Sequence, residues 1–243
     1  MEDVMLDLIG AVVLTAGLML NLNALISSLP ARRTAQFVLA AVFGAWLGLS
    51  AAAASAGVLA TGRPFPLIGI FVAFPIVATA VAVALVPRAR SALLGVPMPL
   101  LIGLNAWRLL GAFFLLLAAE GRLSGPFPYS AGWGDVITGA AAIPLAWLAS
   151  RDAAQHTRLI AAWNLFGVFD LVVAVALGVT SAAGSPLQIF ATGAGSTAVQ
   201  ALPWSLIPTV LVPFYLIVHG TIWAQLRRAG AHPHMTDAVR GMA

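Results

Sequence analysis

Residues 158–180 read RLIAAWNLFGVFDLVVAVALGVT, and the fold class turns on what that stretch is. After Arg158 it holds one charge, Asp170. A bilayer core is crossed by ~20 mostly apolar residues in a helix. The period-two alternation of a barrel strand is missing. The stretch therefore predicts a membrane-spanning helix with an aspartate inside it. Six further runs have the same character, over about 5–27, 35–60, 66–86, 98–119, 132–150 and 203–226. Each break has a local cause, such as Pro30-Ala-Arg-Arg, Gly62-Arg-Pro, Pro87-Arg-Ala-Arg or Arg151-Asp152. The expected fold is an all-α, polytopic membrane protein. Residues 1–226 form a seven-helix transmembrane domain and 227–243 a short basic tail.

Composition agrees. The 243 residues are 61% hydrophobic and 8% charged, against about 25% charged in a soluble domain. Cysteine is absent, which excludes disulfides and thiolate chemistry. Lysine is absent too, since all 12 basic residues are arginine, and no Schiff base can form. A pI near 11.0 would suit nucleic acid, but most arginines lie in short links between apolar runs. Their distribution sets orientation. Arg32, Arg33, Arg88, Arg90, Arg151, Arg158, Arg227, Arg228 and Arg240 fall on one side, and only Arg63 and Arg122 on the other. The N-terminus is predicted outside and the C-terminus in the cytoplasm of a bacterial-type plasma (inner) membrane. The acidic start, Met1-Glu-Asp, is unlike a secretory signal, so the first run is expected to be retained.

Charges inside apolar runs point to function. Each costs about 2.5–3.5 kcal/mol even on mild insertion scales. At a helical rise of about 1.5 Å per residue, Arg108 and Asp170 fall near the midplane, where they can pair. Asp135 is expected ~5 Å below the outer edge, one or two turns above them, with Glu120 and Arg122 at the outer mouth. Asn105 lies three residues before Arg108, and Asn164, Gly167 and Asp170 repeat every three, so these share helix faces. On the last span Trp204, Pro208, Val212, Tyr215 and His219 recur every three or four. Depth places His219 with Asn164, Asn21 and Asn23 in an inner layer. Asp and His titrate and can relay protons, while a structural ion pair explains the Arg108–Asp170 match equally well. His156, His232 and His234 fall in links or the tail, and two histidines in His-Pro-His do not make a metal site. No metal site, cofactor or catalytic residue is assigned.

Pro203, Pro208 and Pro213 each remove a backbone donor, so the outer half of the last span is expected to be kinked or broken. Pro75 and Pro144 are lone kinks. The outer link around 181–202 is long enough to be functional and reads equally as a lid or an inert loop, with 121–133 packed beside it. Trp133, Trp204 and Tyr129 suit an interfacial aromatic belt. Gly44 and Gly48 form a G-x-x-x-G, the mark of close helix packing within or between chains.

Seven helices with the N-terminus outside resemble the microbial rhodopsins in topology, but the missing lysine excludes a retinal Schiff base. Sugar facilitators share the topology, yet their paired proline–glutamine motifs are not visible. Gly132-Trp-Gly-Asp135 and Gly167-Val-Phe-Asp170 share G-x-x-D, a match of four residues that chance supplies often. The first functional reading is a small transporter or proton-coupled permease working through Arg108, Asp135, Asp170, Asn164, His219, Asn105 and Tyr215. The second is an accessory subunit or sensor that binds a membrane protein, lipid or a second copy. The third is an intramembrane enzyme acting on a lipid or isoprenoid with Asp135 and Asp170 as acid and base. Expected partners are the bilayer and another membrane protein or copy, not nucleic acid.

Overall fold

A computed structural model of the chain describes residues 2–29, 33–60, 67–190 and 193–231. The expected roles of Pro30, Arg32, Gly62, Arg63, Pro64, His232, His234 and Arg240 lie outside the described residues. So does the end of the tail. Among the described residues every regular element is helical. That is the outcome when backbone N–H and C=O groups must be satisfied without water. In chain order the elements are α1 (Glu2–Ser28), α2 (Arg33–Ser55), α3 (Leu67–Leu85), α4 (Pro87–Leu94), α5 (Met98–Leu104), a 3-10 stretch (Asn105–Gly111) and α6 (Ala112–Ala119). Then come α7 (Phe127–Asp152), α8 (Thr157–Thr180), a 3-10 turn (Thr197–Gln200), a π stretch (Ile207–Leu211) and α9 (Val212–Ala231).

Among the described residues six helices are long and apolar enough to cross a membrane: Val4–Ser28, Arg33–Ser55, Leu67–Leu85, Met98–Ala119, Thr157–Thr180 and Ile207–Ala229. α7 has 26 residues but is not among those six. Its two faces explain why. Trp133, Ile137, Ile143 and Trp147 are exposed, while Gly134, Thr138, Gly139, Ala142 and Ala149 are buried. Half of α7 meets other helices instead of an apolar solvent, so small and polar residues there lower its hydropathy. It packs along α5, the 3-10 stretch, α6 and α8. The short α4 has no counterpart among the expected spans. It begins on Pro87, whose missing N–H is harmless in a first turn.

The core is built mainly by α1 and by α5 to α9. α2 and α3 sit at its edge, joined through Trp46, whose ring lies 5.2 Å from Phe71 and 5.4 Å from Phe74. Close packing at Gly44 and Gly48 is not found between described residues: a Cβ added at either would meet nothing within 4 Å.

The three-proline segment does break the regular helix, and it does so by π winding over Ile207–Leu211. Pro213 has no N–H to offer the carbonyl of Thr209, four residues earlier. Trp46 Nε1 donates to that carbonyl at 2.9 Å. Thr209 is fully buried, so the indole supplies what water cannot. On the same side of the molecule, Ser124 and Gly195 exchange two hydrogen bonds, N to O at 2.9 Å and N to Oγ at 2.7 Å. They fasten the long link after α8 to the turn after α6. Replacing Trp46 with Phe keeps the ring and deletes the donor. The expected result is a loss of about 1–3 kcal/mol, read as a lower melting temperature in detergent with the oligomeric state unchanged.

Candidate functional site

Arg108 sits in the 3-10 stretch in the middle of its span, with its side chain fully buried. Its nitrogens are almost completely used. Nε donates to Asp135 Oδ1 at 2.7 Å and one terminal nitrogen to Asp170 Oδ2 at 2.5 Å. The other terminal nitrogen donates to the Gly167 carbonyl at 3.2 Å and to His219 Nε2 at 3.1 Å. Arginine can only donate, so Nε2 accepts and the imidazole hydrogen is assigned to Nδ1. That hydrogen points to Asn164 Oδ1, 2.8 Å away, while Asn164 Nδ2 donates to the His219 carbonyl at 3.2 Å. The Trp163 ring lies 5.3 Å from that of His219, tilted by 47°, and its Nε1 donates to the Thr138 carbonyl at 3.0 Å.

The sequence places these groups in two layers, whereas the structure has one network. Asp135 is level with Arg108 because α7 begins at Phe127, well before the expected 132. Eight residues of α-helix carry Asp135 ~12 Å inward. His219 joins because the long arginine stem carries its guanidinium beyond its own turn. Asn21 does not join: it is buried but donates to Gly17 of its own helix. Asn23 is exposed.

Two glycines make the network possible. A Cβ on Gly134 would overlap the Asp170 carboxylate, and one on Gly167 would lie 2.7 Å from His219 Nε2 and 3.1 Å from Arg108 Nη1. Helices α7 and α8 approach the charges so closely that only a bare backbone fits. The two aspartates of the repeated G-x-x-D reach the same guanidinium, but only Gly167 of its glycines crowds the charges, since Gly132 packs against Leu115.

The remaining expected residues are placed as follows. Asn105 is buried and donates to Leu101 of its own helix at 3.0 Å, leaving its Oδ1 without a partner. Tyr215 lies under the guanidinium, 5.9 Å from ring centre to Cζ, with its buried hydroxyl unpartnered. Glu120 and Arg122 form a second ionic group, in the turn after α6. Arg122 meets Asp7 of α1 at 2.8 Å and Glu120 at 3.7 Å, and Asp7 also accepts from Trp204 Nε1 at 2.7 Å. Trp204 is fully buried, not part of an interfacial belt, whereas Tyr129 and Trp133 are exposed. Sequence reasoning misses Asp7 because it stands near the acidic start of the chain and has no charged neighbour in its own span.

A cleft of about 90 Å³ leads toward the charges. It runs between α3, α8, the link after α8 and the π stretch, with Val72, Val175, Val199 and Ile207 among its apolar walls. Among the described residues Asp135 is the one charged residue in its lining. The Asp135 side chain is 14% exposed and that of Asp170 6%. Asp135 therefore touches Arg108 on one side and the cleft on the other.

The family described as Domain of unknown function (DUF8737) matches residues 65–227. The chain belongs to this family. The matched region holds all of Arg108, Asp135, Asn164, Gly167, Asp170 and His219, while Asp7 and Trp46 lie before it. No curated protein and no solved structure matches the chain.

The two ionic groups should differ in weight. Asp170→Asn leaves a buried guanidinium short of a partner and is expected to destabilise the protein by about 3–5 kcal/mol. Asp7→Asn, at a partly exposed pair, is expected to change stability by about 1 kcal/mol or less. Thermal unfolding of the two variants in the same detergent compares them directly.

Proposed function

We propose that this chain is a small multi-pass transporter of a plasma (inner) membrane, with proton-coupled passage of a small solute through the Arg108–Asp135–Asp170 site. In this reading α7 is the seventh span, the N-terminus is outside and the C-terminus, with its short basic tail, is cytoplasmic. The length of α7 and the arginine distribution support that topology. One observation carries the functional reading: the apolar cleft has Asp135 in its lining, and the same carboxylate binds the buried arginine.

The chemistry follows from counting charge. One guanidinium faces two carboxylates, and the assigned hydrogens leave His219 neutral. With both carboxylates ionised the network carries a net charge of −1 in a dry interior, which is unfavourable. One proton or one small cation on Asp135 brings it to zero. Arg108 grips the two acids through different nitrogens, so Asp135 can exchange its partner while Asp170 stays bound. The volume of the cleft selects a small or slender solute. Irregular winding supports a moving part here: mid-span 3-10 and π stretches are typical of hinges and functional sites, and Ile207 and Pro208 of the π stretch line the cleft. Discontinuous helices also form the substrate sites of many transporters.

The lipid enzyme reading needs both carboxylates at the substrate, and Asp170 is not in the lining of the cleft. An accessory-subunit reading would rest on the open face of Gly44 and Gly48, which lipid covers equally well.

Topology is testable because the chain has no cysteine. Gln155→Cys should react with an impermeant maleimide only from the cytoplasmic side, and Leu187→Cys only from outside. Reaction of both from one side would remove the proposed arrangement. For transport, proteoliposomes with an internal pH dye and an imposed proton gradient should discharge faster than empty vesicles when small amines and neutral solutes are added. Asp135→Asn should slow that discharge about a hundredfold. Equal rates for protein and empty vesicles across the panel would rule the reading out.

A further inference from the structure

A larger groove lies at the opposite end of the molecule from the cleft. It has a volume of about 620 Å³ and is walled by α3, α4 and α9. Its floor is apolar, with Ile76 and Val83 from α3 and Leu216 and Ile217 from α9. Gly220 lies in the floor, where an added Cβ would meet nothing within 4 Å. Thr221 adds no free donor, because its hydroxyl is turned to the Ile217 carbonyl at 2.8 Å. At one end stand three arginines: Arg90 of α4, and Arg227 and Arg228 of α9. All three are exposed, and none forms an ion pair among the described residues. Arg227 rests over the Trp223 ring, 5.3 Å from its centre, a contact that leaves its charge uncompensated. Gln225 fixes the geometry by donating to the carbonyls of Leu94 at 3.2 Å and Val96 at 2.8 Å, which ties the end of α4 to α9. The groove is thus preformed.

The bland account is that these arginines only mark the cytoplasmic side. That accounts for their sign but not for their convergence, from two separate helices, on one end of an apolar groove. A bulky headless hydrocarbon would suit the floor and ignore the arginines. A free anion would suit the arginines and leave the floor empty. One molecule satisfies both ends.

We infer that this groove binds an anionic glycerophospholipid, with an acyl chain along the α3–α9 floor and the phosphate beneath Arg90, Arg227 and Arg228. Basic pockets between spans on the cytoplasmic side are suited to acidic headgroups, because each arginine attracts the phosphate and chain burial adds to it. The site is independent of any transport through Asp135.

The test uses the full chain purified in a mild detergent and examined by native mass spectrometry. Dioleoyl phosphatidylglycerol should be retained at one per protein, and dioleoyl phosphatidylcholine should not. Each of Arg90→Gln, Arg227→Gln and Arg228→Gln should weaken retention about fivefold. Gly220→Trp, at an exposed position that leaves every arginine in place, should abolish it. Inorganic phosphate at millimolar concentration should not displace the lipid. Equal retention of the two lipids, or retention unaffected by Gly220→Trp, would overturn the site in favour of diffuse surface charge. Displacement by phosphate alone would overturn it in favour of a simple anion site. Unchanged melting temperatures of the four variants establish that a loss of lipid is not a loss of fold.

Discussion

A guanidinium held away from water between two carboxylates governs the rest of this structure. Arg108 has donors aimed at α7 through Asp135, at α8 through Asp170 and the Gly167 carbonyl, and at α9 through His219. Apolar packing among helices in lipid discriminates poorly between rotations, since lipid tails are as apolar as leucine. Directional bonds to one buried charge do discriminate. Each of the three helices must present one particular face to Arg108, and α7 and α8 must also lack side chains where the groups crowd, at Gly134 and Gly167. The network is therefore both the strongest constraint on register and the most chemically reactive place in the bundle. Those two roles are compatible because Asp135 is shared with the cleft.

Departures from α winding cluster around that network. The π stretch lacks the backbone donor that Pro213 cannot supply, and the substitute comes from far away in sequence. Trp46 reaches across from α2 to the carbonyl that Pro213 cannot serve. In this way a helix at the edge of the bundle, with few other contacts, is coupled to the irregular segment that lines the cleft. The edge position of α2 reflects a job done by one residue rather than by a packed face.

The helical class and most helix positions are legible in the sequence, because continuous apolar runs and arginine-marked links have simple physical causes. The pairing of Arg108 with Asp170 is legible for a related reason: buried charges need partners, and equal depth names them. Depth arithmetic then fails in instructive ways. It assumes straight α-helices with correct starts, so missing the extra turn at the head of α7 puts Asp135 one or two turns away from Arg108 instead of level with it. It also treats a residue as a point, and so separates His219 from an arginine long enough to touch it. Residue type alone assigns Trp204 to an interface. Its buried ring follows instead from Asp7 on α1, a partner at the far end of the sequence that no local pattern announces. Gly44 and Gly48 show the converse: a motif of close packing can be present where the folded chain supplies no neighbour.

The 3-10 winding around Arg108, over Asn105–Gly111, has a mechanical meaning. A 3-10 helix packs fewer residues into each turn than the α form and climbs further with each one, so it is both more tightly wound and longer. Over this stretch the difference accumulates to about 140° of extra twist and about 3.5 Å of extra length. α5 and α6 thus belong to one span but are phased almost oppositely around its axis. Were the stretch to rewind as α-helix, the half that carries α6 would screw toward α5, and Arg108, four residues along, would turn by about 80°. The backbone at the charged centre is in effect a wound spring with a rotary stroke, and its pitch, not a tilt of whole helices, sets how far the charge would travel.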